Sequence, residues 1–152
     1  MTDTSDREIV HSRLLNAPRE LVYEAFTNPE HVAQWWGPNG FTNTIHEMDV
    51  RPGGVWRFIM HGPNGTDYPN RIVFTTVQPP ELLVYEHGSD IDDDPHRFHV
   101  TTTFEDQDGK TLITLRLLCS SVEQCEERKK FGAVEGGRQT LARLEEYLTT
   151  MR

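Results

Sequence analysis

Cysteine is scarce in this sequence. Cys119 and Cys125 are the only two, and their C-x5-C spacing fits neither the paired C-x-x-C of a zinc site nor the dense framework of a disulfide-stapled scaffold. Reduced, mostly buried thiols are expected, with a bridge or redox pair as the alternative. An apolar run of about 18 residues is also missing, which argues against a membrane-spanning helix. The start, MTDTSDRE, is polar and acidic and has no apolar leader, so a cytoplasmic protein is expected, with residues 1–6 disordered. Basic charge is short as well: 15 Lys and Arg stand against 24 Asp and Glu, a formal net charge of -9. Binding to a phosphate backbone depends on displacing counterions with cationic side chains, so neither nucleic acid nor a membrane is an expected partner. No Ser-His-Asp spacing, phosphate-cradling glycine loop or nucleophile elbow occurs. The run Asp92-Asp93-Asp94 with His96 lacks the glycine and terminal Glu of a calcium loop and the second His of a zinc site. It reads as a solvated loop, and no metal or cofactor is expected.

What the chain does have is a clear order of elements. Its 152 residues suit one domain spanning the whole length. Residues 7–15 give a weak strand pattern. Asn16-Ala17-Pro18 then signals a helix start, and Leu21, Val22, Ala25 and Phe26 supply an apolar stripe at three- and four-residue spacing. Asn28-Pro29-Glu30 repeats the start signal, which predicts a second short helix over 29–35 that ends at Gly37-Pro38. Strands are predicted at 42–50, 55–61, 68–77, 81–87, 97–105 and 111–119, joined by short turns, which implies an antiparallel meander. Ser120 and Ser121 with Glu123 and Gln124 resemble a capping box opening a charged helical segment over 122–130. A long helix over 131–151 follows, with Phe131, Val134, Gly137, Leu141, Leu144 and Leu148 on one face. That face is expected to pack on the concave side of the sheet, an α+β arrangement with space between the layers.

In this order the motifs resemble the helix-grip, START-like superfamily, and within it the group similar to the C-terminal domain of the Hsp90 ATPase activator. The residues that carry the likeness are Ala17-Pro18 with Val22 and Ala25-Phe26, Pro29-Glu30 with Trp35-Trp36, and Asp49-Val50-Arg51-Pro52-Gly53-Gly54 running into Trp56, Phe58 and Met60. They continue through Gly62-Pro63-Asn64-Gly65 with Tyr68, then Val77 with Pro79-Pro80, Leu83-Val84-Tyr85, and Gly136 with Leu141, Leu144, Tyr147 and Leu148. The resemblance implies a curved antiparallel sheet wrapped around a long C-terminal helix, with two short helices after the first strand. It also implies an internal cavity, while the superfamily's range of roles leaves function open. A chaperone partner and a stress-response role follow if the co-chaperone likeness governs. His87 and Gly137 stand where relatives commonly carry tryptophan, so two large rings are missing from expected cavity positions.

Alternation along the strand puts Trp56, Phe58 and Met60 on one face. By the same rule Leu83, Tyr85 and His87 share the inner face, as do Phe98, Val100, Thr102 and Phe104, and Ile113, Leu115 and Leu117. Singly each could be a core residue; together, with Trp36 and Phe74, they are expected to border a pocket of roughly 300 to 1,000 Å³. The helix residues Phe131, Val134, Gly137 and Leu141 would close it. His87, Tyr85 and Tyr68 are the polar points expected to orient a ligand, and His87 is the one weak catalytic candidate. Gly137 admits two readings, room for a ligand or close packing against a tryptophan. Asp49 and Arg51 are read as a turn with a local ion pair. The expected function is binding of a hydrophobic small molecule, aromatic or lipid-like. The alternatives are a co-chaperone-like interaction module and a cyclase- or hydrolase-type enzyme using His87 as base. Exposed sheet edges are compatible with a homodimer.

Overall fold

The computed structural model of the chain describes residues 5–130 and 132–151. A 3-10 turn at Ser5–Arg7 leads into β1 (Glu8–Leu15), α1 (Arg19–Thr27) and α2 (Pro29–Trp35). Six strands follow: β2 (Thr42–Met48), β3 (Val55–His61), β4 (Asp67–Gln78), β5 (Leu82–Ser89), β6 (Phe98–Gln107) and β7 (Lys110–Leu118). The chain closes with α3 (Val122–Lys130) and α4 (Ala133–Leu148). Of residues 1–6, expected to be disordered, Ser5 and Asp6 belong to the 3-10 turn, and residues 1–4 lie outside the described ones.

The strands form one antiparallel sheet in the order β1-β7-β6-β5-β4-β3-β2. The first strand therefore pairs with the last, Glu8 opposite Leu118 through Leu15 opposite Thr111, while β2 sits at the far edge. The α1–α2 segment connects those two edges, and the sheet's concave face receives it together with α4. Register shifts between Ile45 and Glu47 and between Phe74 and Thr76 mark bulges, which bend strands and increase twist, curving the sheet around the helix. Gly54 ends the turn before β3 because a Cβ there would lie 2.0 Å from the Asp49 carbonyl oxygen. The expected Asp49–Arg51 ion pair forms in that turn at 2.7 Å.

Local sequence explains the helix ends. Asn28 ends α1 with its backbone N–H on Glu24 O, and its side chain accepts the Glu30 N–H at 3.0 Å to start α2, whose first residue is Pro29. Ser121 Oγ accepts the Gln124 N–H at 3.1 Å and caps α3. The core is aromatic: Phe26, Trp35, Trp56, Phe58, Phe74, Tyr85 and Phe104 are all essentially inaccessible to solvent. Ile9, Cys119 and Cys125 form a small separate cluster in which both thiols are free and buried. Burial, with Cys125 alongside, pushes the Cys119 thiol up to about 11, which keeps it protonated at neutral pH.

One face of α4 departs from expectation. Leu141, Leu144 and Leu148 are buried as predicted, but Val134 is 52% exposed. A Cβ on Gly136 would lie 3.4 Å from Pro38, and one on Gly137 would run into His11, so those two glycines mark the inward direction of the first turns. The periodic stripe holds at Gly137, Leu141, Leu144 and Leu148 and fails at Val134, in the first turn.

Candidate functional site

Between the concave sheet and α4 lies a cavity of about 170 Å³. Its floor follows from strand register: Tyr85 pairs with Val100 and Val100 with Leu117, so these three side chains form a row across β5, β6 and β7. A second row runs from Leu115 to His11 on β1. His87 and Phe98, themselves a cross-strand pair, border it further along, with Met60 of β3 on the same rim. Trp36, Gly37 and Pro38, just beyond α2, form the mouth opposite Thr140 of α4.

The cavity is smaller than the expected range, and the reason is visible in the core. Trp36 meets Trp56 edge-on at 4.9 Å between ring centroids, and Trp56 stacks on Phe58 at 4.5 Å. These rings fill the β3 end of the interior. Trp56, Phe58, Phe74 and Leu141, expected as lining, are therefore core residues outside the cavity wall. Tyr68 is 45% exposed and packs against Phe41 at 6.0 Å, so it does not reach the cavity. Val134 faces solvent, and Phe131 lies outside the described residues.

Gly137 marks close packing, against a histidine rather than a tryptophan. A Cβ on Gly137 would fall 2.1 Å from Nε2 of His11. His11, together with Gly37, Pro38 and Thr140, was missing from the expected site. The signal for His11 was the alternation Ile9, His11, Arg13, Leu15, whose burial contrasts with exposed Val10 and Leu14. The adjacent pair Leu14-Leu15 hid that alternation.

The polar groups of the wall are few and mostly committed. Tyr85 donates or accepts with Thr102 Oγ1 at 3.2 Å inside the core, and burial pushes its hydroxyl pKa up. Thr140 Oγ1 donates to the Gly136 carbonyl. His87 is held by Asn70, whose amide nitrogen donates to Tyr68 O at 2.7 Å and whose Oδ1 therefore faces the ring. Nε2 of His87 lies 2.9 Å from that oxygen and must carry the proton, which leaves Nδ1 as a bare acceptor. Burial, reinforced by the nearby charge of Arg128, pulls the His87 pKa down to about 3. Burial also lowers the pKa of His11. Both imidazoles are neutral at physiological pH.

The mouth is fixed from α4. The Arg143 guanidinium donates to the carbonyls of Trp36, Gly37 and Pro38 at 3.3, 2.8 and 2.9 Å, and to those of Gln34 and Phe41 at 3.3 and 3.1 Å. These carbonyls surround the C-terminal end of α2, where a cation is favoured by the helix dipole. Asn43 adds bonds to Ala33 and Trp36 carbonyls.

A larger groove of about 430 Å³ runs past Arg7, Glu86, Asp94 and His99, and these four side chains are already bonded. His99 bonds Glu86, Asp94 accepts the Ser89 and His96 N–H groups, and Arg7 donates to the Cys119 carbonyl. In the neighbouring acidic loop, Asp90 takes both Arg57 and Arg71, and Asp92 pairs with Arg71. No helix among the described residues is long and apolar enough to cross a membrane.

Residues 16–149 match the family model described as Activator of Hsp90 ATPase homolog 1-like protein. None of the curated proteins compared with the chain matches it. Among solved structures, a protein from Arthrobacter aurescens is 23% identical with a TM-score of 0.89, the match covering 99% of this chain and 90% of that one. A protein from Rhodobacter sphaeroides is 18% identical with a TM-score of 0.86, covering 99% and 98%. The AHSA1 protein from Silicibacter pomeroyi is 23% identical with a TM-score of 0.77, covering 95% and 99%. At these identities the structural likeness shows the fold, a helix grip with a seven-stranded curved sheet. Because the family match runs from the residue after β1 to the residue after α4, the chain belongs to the activator of Hsp90 ATPase homolog 1-like family.

Proposed function

We propose that the chain binds a hydrophobic small molecule in the cavity between the sheet and α4. The observation that carries this reading is a wall of Trp36, Met60, Phe98, Val100, Leu115 and Leu117 with no Lys, Arg, Asp or Glu among the lining residues. Affinity in such a site comes mainly from apolar area removed from water, about 25 cal/mol per Å². The fold, which commonly binds hydrophobic ligands, supports the same reading. The volume favours a compact aromatic over a long-chain lipid. Native mass spectrometry and a thermal-shift screen across small aromatics and lipids test it. Stabilisation by aromatics is expected, and no stabilisation by any compound would count against it.

The family description favours a second reading, a protein-interaction module acting on a chaperone through its surface. Retention of a chaperone on the immobilised chain at low salt is its test. An enzyme using His87 as general base is less well supported, since a base whose conjugate acid sits at about 3 accepts protons poorly at neutral pH. The open edges of β1 and β2 are compatible with a homodimer.

A further inference from the structure

We propose that the ligand is a neutral molecule about the size of one substituted ring, bearing a single O–H or N–H donor that Nδ1 of His87 receives. This narrows the ligand-binding reading above and rests on it. Three features of the wall lead there.

Size comes first. An apolar cavity of about 150 Å³ is enough for benzene, and the present one measures about 170 Å³. A ring with a short substituent matches that volume; a fused polycycle or an extended acyl chain exceeds it. Charge comes next. No ionised side chain lines the cavity, and its two imidazoles, His11 and His87, are neutral. Arg128 lies over the Phe98 ring, 4.3 Å from its centroid, and donates to the His96 carbonyl, outside the lining. An ammonium entering here would shed its hydration against the nearby Arg128 charge, and a carboxylate would shed its hydration with no cationic partner on the lining itself, which is unfavourable.

The third feature is the tautomer. Asn70 fixes the proton of His87 on Nε2, so the imidazole bordering the cavity carries one unprotonated nitrogen, Nδ1, and no free donor. No protein group among the described residues bonds Nδ1, although the imidazole borders the cavity. A ligand O–H or N–H completes that site. A purely apolar ligand leaves the acceptor unmatched, and a ligand with only acceptors sets two lone pairs against each other. The resulting preference for a donor-bearing ring over its apolar isostere is about tenfold.

Phenol, toluene and benzoate differ in these properties at nearly constant shape. Calorimetric titration of the full chain at neutral pH should give phenol about tenfold tighter than toluene, with benzoate the weakest. In the ¹⁵N-labelled chain, the His87 imidazole should show a bare Nδ1 whose signal moves toward the hydrogen-bonded range with phenol and stays in place with toluene. His87→Phe keeps a ring but removes the acceptor, and should bring the ratio of phenol to toluene affinity down to about one, whatever the change in wall shape does to both. Equal binding of phenol and toluene, a preference that survives in His87→Phe, or benzoate binding most tightly would overturn the donor assignment while the apolar site stands. Failure of all three to bind would overturn both. Should His87→Phe not fold, the imidazole ¹⁵N response of the unaltered chain decides alone.

Discussion

At Gly137 a hydrogen in place of a side chain lets α4 meet β1. Alanine is ordinarily about 1 kcal/mol better than glycine inside a helix, but here its methyl group would overlap the His11 ring, with three ring atoms within 2.5 Å. Gly137→Ala is therefore expected to lose about 1–3 kcal/mol, and adding His11→Ala should recover most of it. Denaturant unfolding of the two single variants and the double variant reads the coupling; a stabilised Gly137→Ala would mean that the contact is not there. His87 brings a pH dependence. Its folded pKa is depressed to about 3 by burial and by Arg128, against an unfolded value of 6.5. Between those values the unfolded chain holds the extra proton, so stability is intact above pH 6.5 and falls as pH drops toward 3, by up to about 1.4 kcal/mol per unit. His11 adds in the same direction. Unfolding midpoints at pH 7, 6 and 5 should fall less steeply in His87→Phe than in the unaltered chain, which separates the imidazole from carboxylates titrating lower.

Among the elements, Arg143 does what no strand or helix pattern announces. Replacing it by methionine leaves the carbonyls of Gln34, Trp36, Gly37, Pro38 and Phe41 without their charged donor. A loss of about 2–3 kcal/mol is expected, with faster amide exchange confined to residues 36–41. Lysine should restore only part, because one ammonium cannot span five acceptors. The elements themselves were largely legible. β3 and α2 match their predicted bounds because Trp56 and Phe58 alternate cleanly and Pro29 and Gly37 punctuate sharply. Arg143 was not legible, since a guanidinium bonded to backbone carbonyls from a distant loop leaves no periodic trace. Val134 shows the converse, a residue that fits the stripe by spacing but sits in the first turn of α4, where it meets solvent.

For the whole molecule, the β2–β7 meander and the inner face could be read from alternation and short turns, while the pairing of β1 with β7 could not; Tyr85, His87, Phe98 and Val100 border the cavity. Cavity size could not. It is the small remainder after Trp36, Trp56, Phe58 and Phe74 have filled most of the space under the helix, and remainders depend on ring orientation, which sequence spacing does not encode. His11 arrives only because the first strand closes against the last. The central claim is that this remainder is an open apolar site. In the ¹³C-labelled chain with saturating toluene, nuclear Overhauser effects should link the ring to methyl groups of Val100, Leu115, Leu117 and Met60, and not to exposed Val10 or Val134. Effects confined to exposed methyl groups, or none at all in a folded chain, would contradict it.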